Sequence, residues 1–332
     1  MKVKIKVLSP IHIGSGEEIA PLEYFIQEGK FFRLDFDSLF LDPEFRKYSD
    51  AFIRNSIRAS DMKEIIRDEN LLKKHCLYAL PLGGGFELGG ERRKYPVKTF
   101  VKSAGRVFIP GSSLKGAILS AISWYWLSKE GEEQLFRDNN NLLDFVISKS
   151  SRIPRKDKFS RWLDVSDTDL KEPSQVLSLS CAKSVNISGR GSIPIVYETL
   201  KPGSEFELEI QTSLPGTRYS WGIDVQNILK VVRVFYLKVW EKDREFFDRI
   251  RNSQKTAEIR NVTFPKNENS FLIRLGQGST AYSTSLLISA KEKGIRYEIQ
   301  KPKKHTPGEP VTRKLVGGWP MGWAVLTPLS ER

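Results

Sequence analysis

The 332-residue chain carries 53 Lys and Arg against 40 Asp and Glu, a formal net charge of +13, with 39% hydrophobic and 28% charged residues. That balance excludes a disordered polypeptide and favours a polyanionic partner such as nucleic acid. Cys76 and Cys181 are far apart and lie in no CxxC motif, which argues against a disulfide scaffold or thiolate zinc site and fits a reducing, cytoplasmic setting.

The length predicts two domains. Met1–Val7 alternates basic and apolar residues, the period of a strand. No continuous apolar stretch of the kind a signal peptide or membrane span needs is present, so no membrane association is expected. The loop Ser9-Pro10-Ile11-His12-Ile13-Gly14-Ser15-Gly16 follows. Residues 22–34 read as a hairpin turning at Glu28-Gly29-Lys30. Residues 36–78 read as helical, because Phe45, Phe52, Ile53, Ile57, Met62, Ile65 and Ile66 recur at three- and four-residue steps. Asp61 or Ser60 can start the later of these helices.

Gly83-Gly84-Gly85 and Gly89-Gly90 precede a basic stretch carrying Arg92, Arg93, Lys94, Lys98, Lys102 and Arg106. A strand end then passes through Pro110-Gly111-Ser112-Ser113-Leu114-Lys115-Gly116 into a helix over 112–128, with Leu114, Ile118, Ala121, Ile122 and Tyr125 on its apolar stripe. Ser112 or Ser113 can cap that helix. Its remaining amides, its dipole and Lys115 would suit a phosphate oxygen. The segment 149–161 is basic and reads as a loop. Strands are expected near 161–166, 176–187, 193–200 and 204–212, the last with Phe206, Leu208 and Ile210 alternating with Glu205, Glu207 and Glu209. Pro215-Gly216 is the expected domain boundary. Beyond it come a helix over 222–252, a strand Phe271–Leu275, the loop Gly276-Gln277-Gly278-Ser279 and a helix over 280–290.

Four of these features together resemble the RAMP proteins of CRISPR systems: the Ser9–Gly16 opening, the Pro110–Gly116 turn, the Glu198…Pro202-Gly203…Phe206 segment and the late glycine loop. Their order and spacing are most similar to the fifth Csm subunit of type III-A effector complexes, and Arg161–Asp167 resembles that family's strand ending in Val-Ser-Asp. The late loop departs from the family form, with fewer glycines and no basic residue at the helix start.

The resemblance implies an α+β fold of two tandem ferredoxin-like (RRM-like) domains, 1–215 and 216–332, with a helical insertion over about 36–78 in the first. It implies a non-catalytic subunit that holds the 3′-proximal part of a guide crRNA, caps the backbone filament and contributes to 3′-end maturation in antiviral defence. The expected partners are single-stranded crRNA, the adjoining backbone RAMP subunit, the small helical subunit and trimming nucleases.

The expected RNA contacts are Gly111, Ser112, Ser113, Lys115, Arg92, Arg93, Lys94, Lys98, Lys102, Arg274, Gly276, Gly278 and His12. The Gly111–Lys115 turn is not a nucleotide P-loop, because Lys115 precedes Gly116 and no magnesium-binding hydroxyl follows. Gly276-x-Gly278-x-x-Ala281 formally matches a dinucleotide fingerprint, but too little chain follows for that domain, so no cofactor is expected. His12 could instead be the general base of a metal-independent repeat endoribonuclease; the expectation is a structural or RNA-contacting role. Asp164, Asp167 and Asp169 are expected to cap a strand end, not to hold a metal. Trp319, Met321 and Trp323 are expected to close a core, with base stacking as the alternative.

Overall fold

The computed structural model describes residues 1–57, 59, 61–86, 95–130, 160, 162–187, 194–212, 224–250, 269–294, 298–301, 304–307 and 310–329. Two large sheets organise them. The first has five strands, in the order Phe271–Arg274 (β13), Trp323–Pro328 (β18), Lys2–Val7 (β1), Glu205–Thr212 (β12) and Leu163–Val165 (β9). The period-two pattern of the sequence decides its faces. Val3, Ile5 and Val7 of β1 and Phe206, Leu208 and Ile210 of β12 are buried. On the other face Lys2, Lys4 and Lys6 stand opposite Glu209, Glu207 and Glu205.

Two long helices cover the apolar face, Gly111–Glu130 (α4) and Val225–Arg249 (α6). Leu114, Ile118 and Ile122 of α4 are fully buried, as are Ile228, Leu229, Val232 and Val239 of α6. Removing each such side chain from water contributes about 1.5–3 kcal/mol. The Tyr236 hydroxyl on α6 donates to the Ala117 carbonyl on α4 at 3.1 Å, fixing the two helices relative to each other.

The chain order β1–α4–β9–β12–α6–β13 is a βαββαβ progression. β18 lies between β13 and β1 and is antiparallel to both, so β13 runs parallel to β1. The run Trp323-Ala324-Val325-Leu326 is buried throughout, so it is stable only as an internal strand. The boundary expected at Pro215-Gly216 lies outside the described residues, and strands from both sides of it share both large sheets. The architecture is a mixed α+β fold built on common sheets.

The second sheet has six strands, in the order Trp319–Pro320 (β17), Thr312–Val316 (β16), Leu177–Asn186 (β10), Ile195–Leu200 (β11), Val97–Phe100 (β6) and Gly14–Ile19 (β2). β2 is an exposed edge strand where the sequence pattern suggested a loop. A smaller sheet of Tyr24–Gln27 (β3), Lys30–Leu34 (β4) and Cys76–Pro81 (β5) supports the insertion. Its helices Phe36–Leu41 (α1), Ser49–Asn55 (α2) and Glu69–Lys74 (α3) close a satellite core of Phe25, Leu34, Leu39, Phe45, Met62, Ile65, Ile66, Leu71 and Leu72. The helical pattern therefore ends at Lys74, and the following apolar run is a strand. Asp61 does cap a helical turn, through the Lys63 amide at 3.1 Å.

The helix expected over 280–290 is broken into Ala281–Thr284 (α7) and Leu287–Glu292 (α8). The hydroxyls of Ser283 and Ser285 bond back to the carbonyls of Thr280 and Ala281, competing with the helical ladder.

Candidate nucleic-acid interface

The loop after β1 is pinned before it reaches His12. Leu8 and Ser9 amides both donate to the Trp323 carbonyl, the Trp323 amide donates to Ser9 Oγ at 3.0 Å, and the Gly322 amide donates to the Pro10 carbonyl at 3.0 Å. His12 is thereby delivered onto the second sheet and buried, at 2% exposure. Its Nδ1–H donates to the Glu198 carbonyl at 2.8 Å, and its ring lies 4.6 Å from that of Tyr197 and edge-on to Phe100.

Burial, with a smaller contribution from the nearby Lys314 and Lys98 charges, outweighs the opposing hydrogen bond and charge of Glu198 and brings the His12 pKa down to about 4. The imidazole is thus neutral near pH 7. The burial contradicts the expectation that His12 contacts RNA directly, and leaves it structural. Reaching a scissile phosphate as a general base would require the loop to open.

The two glycine loops, remote in sequence, close on each other at this point. The Gln277 amide donates to the His12 carbonyl at 2.8 Å. Gly276 has φ +67°, and a Cβ there would stand 2.2 Å from the His12 carbonyl oxygen. Gly278, at φ +89°, passes over Met321, where a Cβ would meet the Met321 Cβ at 2.8 Å. Both positions need glycine for backbone conformation and for close approach.

Beside this junction stands Lys314 of β16. Its ammonium is 2.8 Å from the Tyr197 hydroxyl and 3.2 Å from Gln277 Oε1. Both partners are neutral, and no carboxylate pairs with it among the described residues. Lys98 lies nearby on β6 but is engaged by Glu18 Oε1 at 2.5 Å, which raises its pKa.

The expected contacts fall into three groups. His12, Gly276, Gly278 and Lys98 converge on the junction just described. Arg92, Arg93 and Lys94 lie outside the described residues, as does Gly89-Gly90. The others are placed elsewhere. Lys102 is turned inward, its ammonium bonded to the fully buried carboxylate of Glu198 and set 5.1 Å from the Tyr78 ring centroid. Glu198 also accepts the Phe100 amide at 2.8 Å and the Tyr78 hydroxyl at 2.5 Å.

Arg274 is a correction: it is 1% exposed, with Nη1 2.8 Å from Asp243 Oδ2 and its guanidinium stacked 5.0 Å from the Trp323 ring centroid. Alternation along β13 would have been a poor guide, because all four of its residues are buried. Arg313 shares the same carboxylate, through Nε at 2.5 Å. Burial lowers the Arg274 pKa while Asp243 counters it.

Gly111 is also corrected. The helix begins at Gly111, so Ser112 and Ser113 lie within its first turn and are not its cap. The Gly111 amide donates to Asp167 Oδ1 at 2.7 Å, and a Cβ there would strike the Val165 carbonyl oxygen at 2.2 Å. An internal carboxylate therefore already occupies the first amide of α4. Ser112 is exposed, and Lys115 and Ser113 are half-buried.

Asp169 accepts the Glu207 amide at 2.8 Å and pairs with Lys171 at 2.6 Å. Of the acidic trio, Asp167 thus caps the start of α4 and Asp169 holds a strand amide. No group of three metal-ligating side chains occurs among the described residues. No described helix is long and apolar enough to cross a membrane. Lys314 and Tyr197 were missed by sequence reasoning; the short run Thr312-Arg313-Lys314-Leu315-Val316 ending at Gly317-Gly318 was the available strand-and-turn signal.

Residues 4–302 match the family model described as the RAMP superfamily. A Csm5 protein of a CRISPR system from Streptococcus thermophilus is 24% identical over 330 residues, 91% of this chain and 84% of that protein. A second Csm5 protein, from Methanocaldococcus jannaschii, is 29% identical over 183 residues, covering 51% of this chain and 42% of that one. The crystal structure of T. onnurineus Csm5 superposes with a TM-score of 0.71 at 22% identity, covering 97% of this chain and 99% of that one. A chain of a cryo-EM Csm–crRNA–target RNA ternary complex of a type III-A CRISPR-Cas system matches with a TM-score of 0.73 at 21% identity, covering 98% and 100%.

Proposed function

The chain belongs to the RAMP superfamily, and from that premise we propose that it is the Csm5-type subunit of a type III-A CRISPR effector complex, gripping single-stranded guide crRNA near its 3′ end. It acts by binding and architecture. It ends the backbone filament against the adjoining RAMP subunit and the small helical subunit, and covers guide nucleotides that trimming nucleases would otherwise remove. The observation that carries this reading is Lys314, an ammonium held by two neutral oxygens beside the interlocked glycine loops. A cation with no acidic partner among the described residues, at a rigid backbone corner, suits a phosphate oxygen. Full-length likeness to a chain from an RNA-containing Csm assembly supports the same ligand class.

The test is reconstitution of the complex with Lys314→Glu, with Lys115→Glu as a second variant, measuring guide retention against salt. Losing one phosphate contact should reduce the salt slope by about 0.7 for a single strand. Guide 3′ ends sequenced with and without the subunit read out protection. Unchanged retention in both variants, with identical guide ends, would overturn the proposal.

A further inference from the structure

The hairpin of β16 and β17 carries a side chain that the reading above leaves unused. Trp319 is 37% exposed, whereas Trp323, Trp240 and Trp124 are buried at 1%, 5% and 8%. An exposed indole forgoes a large apolar burial and is worth explaining where its support is rigid. The support here is rigid. Trp319 follows Gly317 and Gly318, both left-handed at φ +56° and +92°. It pairs with Val316 across the turn. Behind the tip, Gly84 presses on Gly317 so closely that a Cβ on Gly84 would meet Gly317 Cα and N at 3.2 Å.

The register decides which way Trp319 faces. Paired residues of an antiparallel ladder share a face, as do residues two apart along a strand. Trp319 pairs with Val316, and Lys314 lies two residues before Val316, so the indole and the ammonium stand on one face of the second sheet. The interval from Lys314 to Val316 is roughly 6–7 Å along the strand. The glycine loop borders the same place, since a Cβ on Gly278 would lie 3.7 Å from Lys314 Cβ.

We propose that Trp319 is a stacking platform for an unpaired nucleobase of the RNA strand whose phosphate meets Lys314. The inference rests on the RNA-binding reading given above and adds the base contact to it. Aromatic stacking on single strands tolerates any base, since each has a π-face. The cation on the same face, which no acid pairs with among the described residues, favours a nucleotide over a protein segment, because it supplies the phosphate contact that a base platform alone lacks.

The experiment uses the full chain and two fluorescent probes at low salt: a single-stranded 20-nucleotide RNA, and an otherwise identical strand with abasic sites replacing its bases. Trp319→Ala should weaken binding of the base-bearing strand about 5- to 100-fold, the usual yield of base–aromatic stacking. It should leave the abasic strand and the salt slope unchanged, and Trp319→Phe should restore most of the loss. Lys314→Glu should weaken both strands and flatten the salt slope.

If Trp319→Ala binds the base-bearing strand like the parent while Lys314→Glu is weakened, the stacking proposal fails and the RNA-binding reading stands. If neither variant changes either probe, both fail. If Trp319→Ala keeps RNA but no longer associates with the other subunits, the indole belongs to a protein contact and the proposal is overturned.

Discussion

Replacing Glu198 by Gln tests whether the floor beneath the glycine loops is a sealed ionic network. The carboxylate is fully buried and accepts the Phe100 amide, the Tyr78 hydroxyl and the Lys102 ammonium, while its main-chain carbonyl holds His12. Gln preserves the volume but turns one oxygen into an amide donor that faces donors. It also strands a Lys102 ammonium whose side chain is only 16% exposed. Breaking one side of such a buried pair costs about 3–5 kcal/mol. The unfolding entropy of a 332-residue chain is about 0.7 kcal/mol/K, so the melting temperature should fall by about 4–7 °C. Adding Lys102→Met to Glu198→Gln removes the stranded charge and should recover about 1 kcal/mol or more. Differential scanning calorimetry of parent, single and double variants decides it. A single variant melting within about 1 °C of the parent would refute the reasoning, and so would a double variant less stable than the single.

Three further outcomes follow from the same geometry. Gly276→Ala must adopt a left-handed backbone, which alone costs about 1–2 kcal/mol, and must push His12 aside; it should lower the melting temperature and weaken RNA binding together, by calorimetry and gel shift. His12 has its folded pKa depressed to about 4 from 6.5, so protons favour the unfolded chain below pH 6.5. Its contribution is complete above that pH and is lost as pH falls towards 4, up to about 3 kcal/mol; urea titrations of parent and His12→Gln between pH 4.5 and 7 should converge at the acid end. Asp243→Asn strands both Arg274 and Arg313 and should destabilise by about 3–5 kcal/mol. Arg274→Met keeps the Asp243–Arg313 pair, should cost less by the same denaturation assay, and should leave the RNA salt slope unchanged.

What the sequence disclosed, and what it hid, follows from how each residue is used. β1 and β12 were legible because each buries one face only, so Val3, Ile5, Phe206 and Leu208 alternate with charges. α6 was legible because it buries a stripe, and α4 because Leu114, Ile118 and Ile122 keep helical spacing although Ala121, Ile122, Ser123 and Trp124 are buried in succession. β18 was not, since Trp323–Leu326 is apolar on both sides and its partners come from opposite ends of the chain. β2 was hidden for the converse reason: Gly14–Glu18 is exposed and buries no pattern at all. At the candidate site the glycines were visible as motifs, but their cause was not. Gly276 is demanded by a carbonyl some 260 residues upstream in the chain, a contact only the fold creates. Charge misled in the same way. Arg274 and Lys102 carry the same formal charge as Lys314, and their burial against Asp243 and Glu198 separates structural cations from available ones.

That distinction also bears on where RNA would run. The outer face of the first sheet is the surface on which RRM-like modules splay bases over aromatic side chains. Here it presents Lys2, Lys4 and Lys6 opposite Glu209, Glu207 and Glu205, with Lys4 3.0 Å and Lys6 3.8 Å from Glu205. Exposed pairs of this kind add about 0–1 kcal/mol each, so the ladder is a minor source of stability. Its larger effect is to cancel the field along that face. A polyanion gains little there, since each lysine it meets stands opposite a carboxylate that repels it. The second sheet has the reverse arrangement, with Lys314 unpaired by any acid among the described residues, a rigid backbone corner at Gly276 and an exposed indole at Trp319. On electrostatic grounds the second sheet suits a polyanion better than the first does.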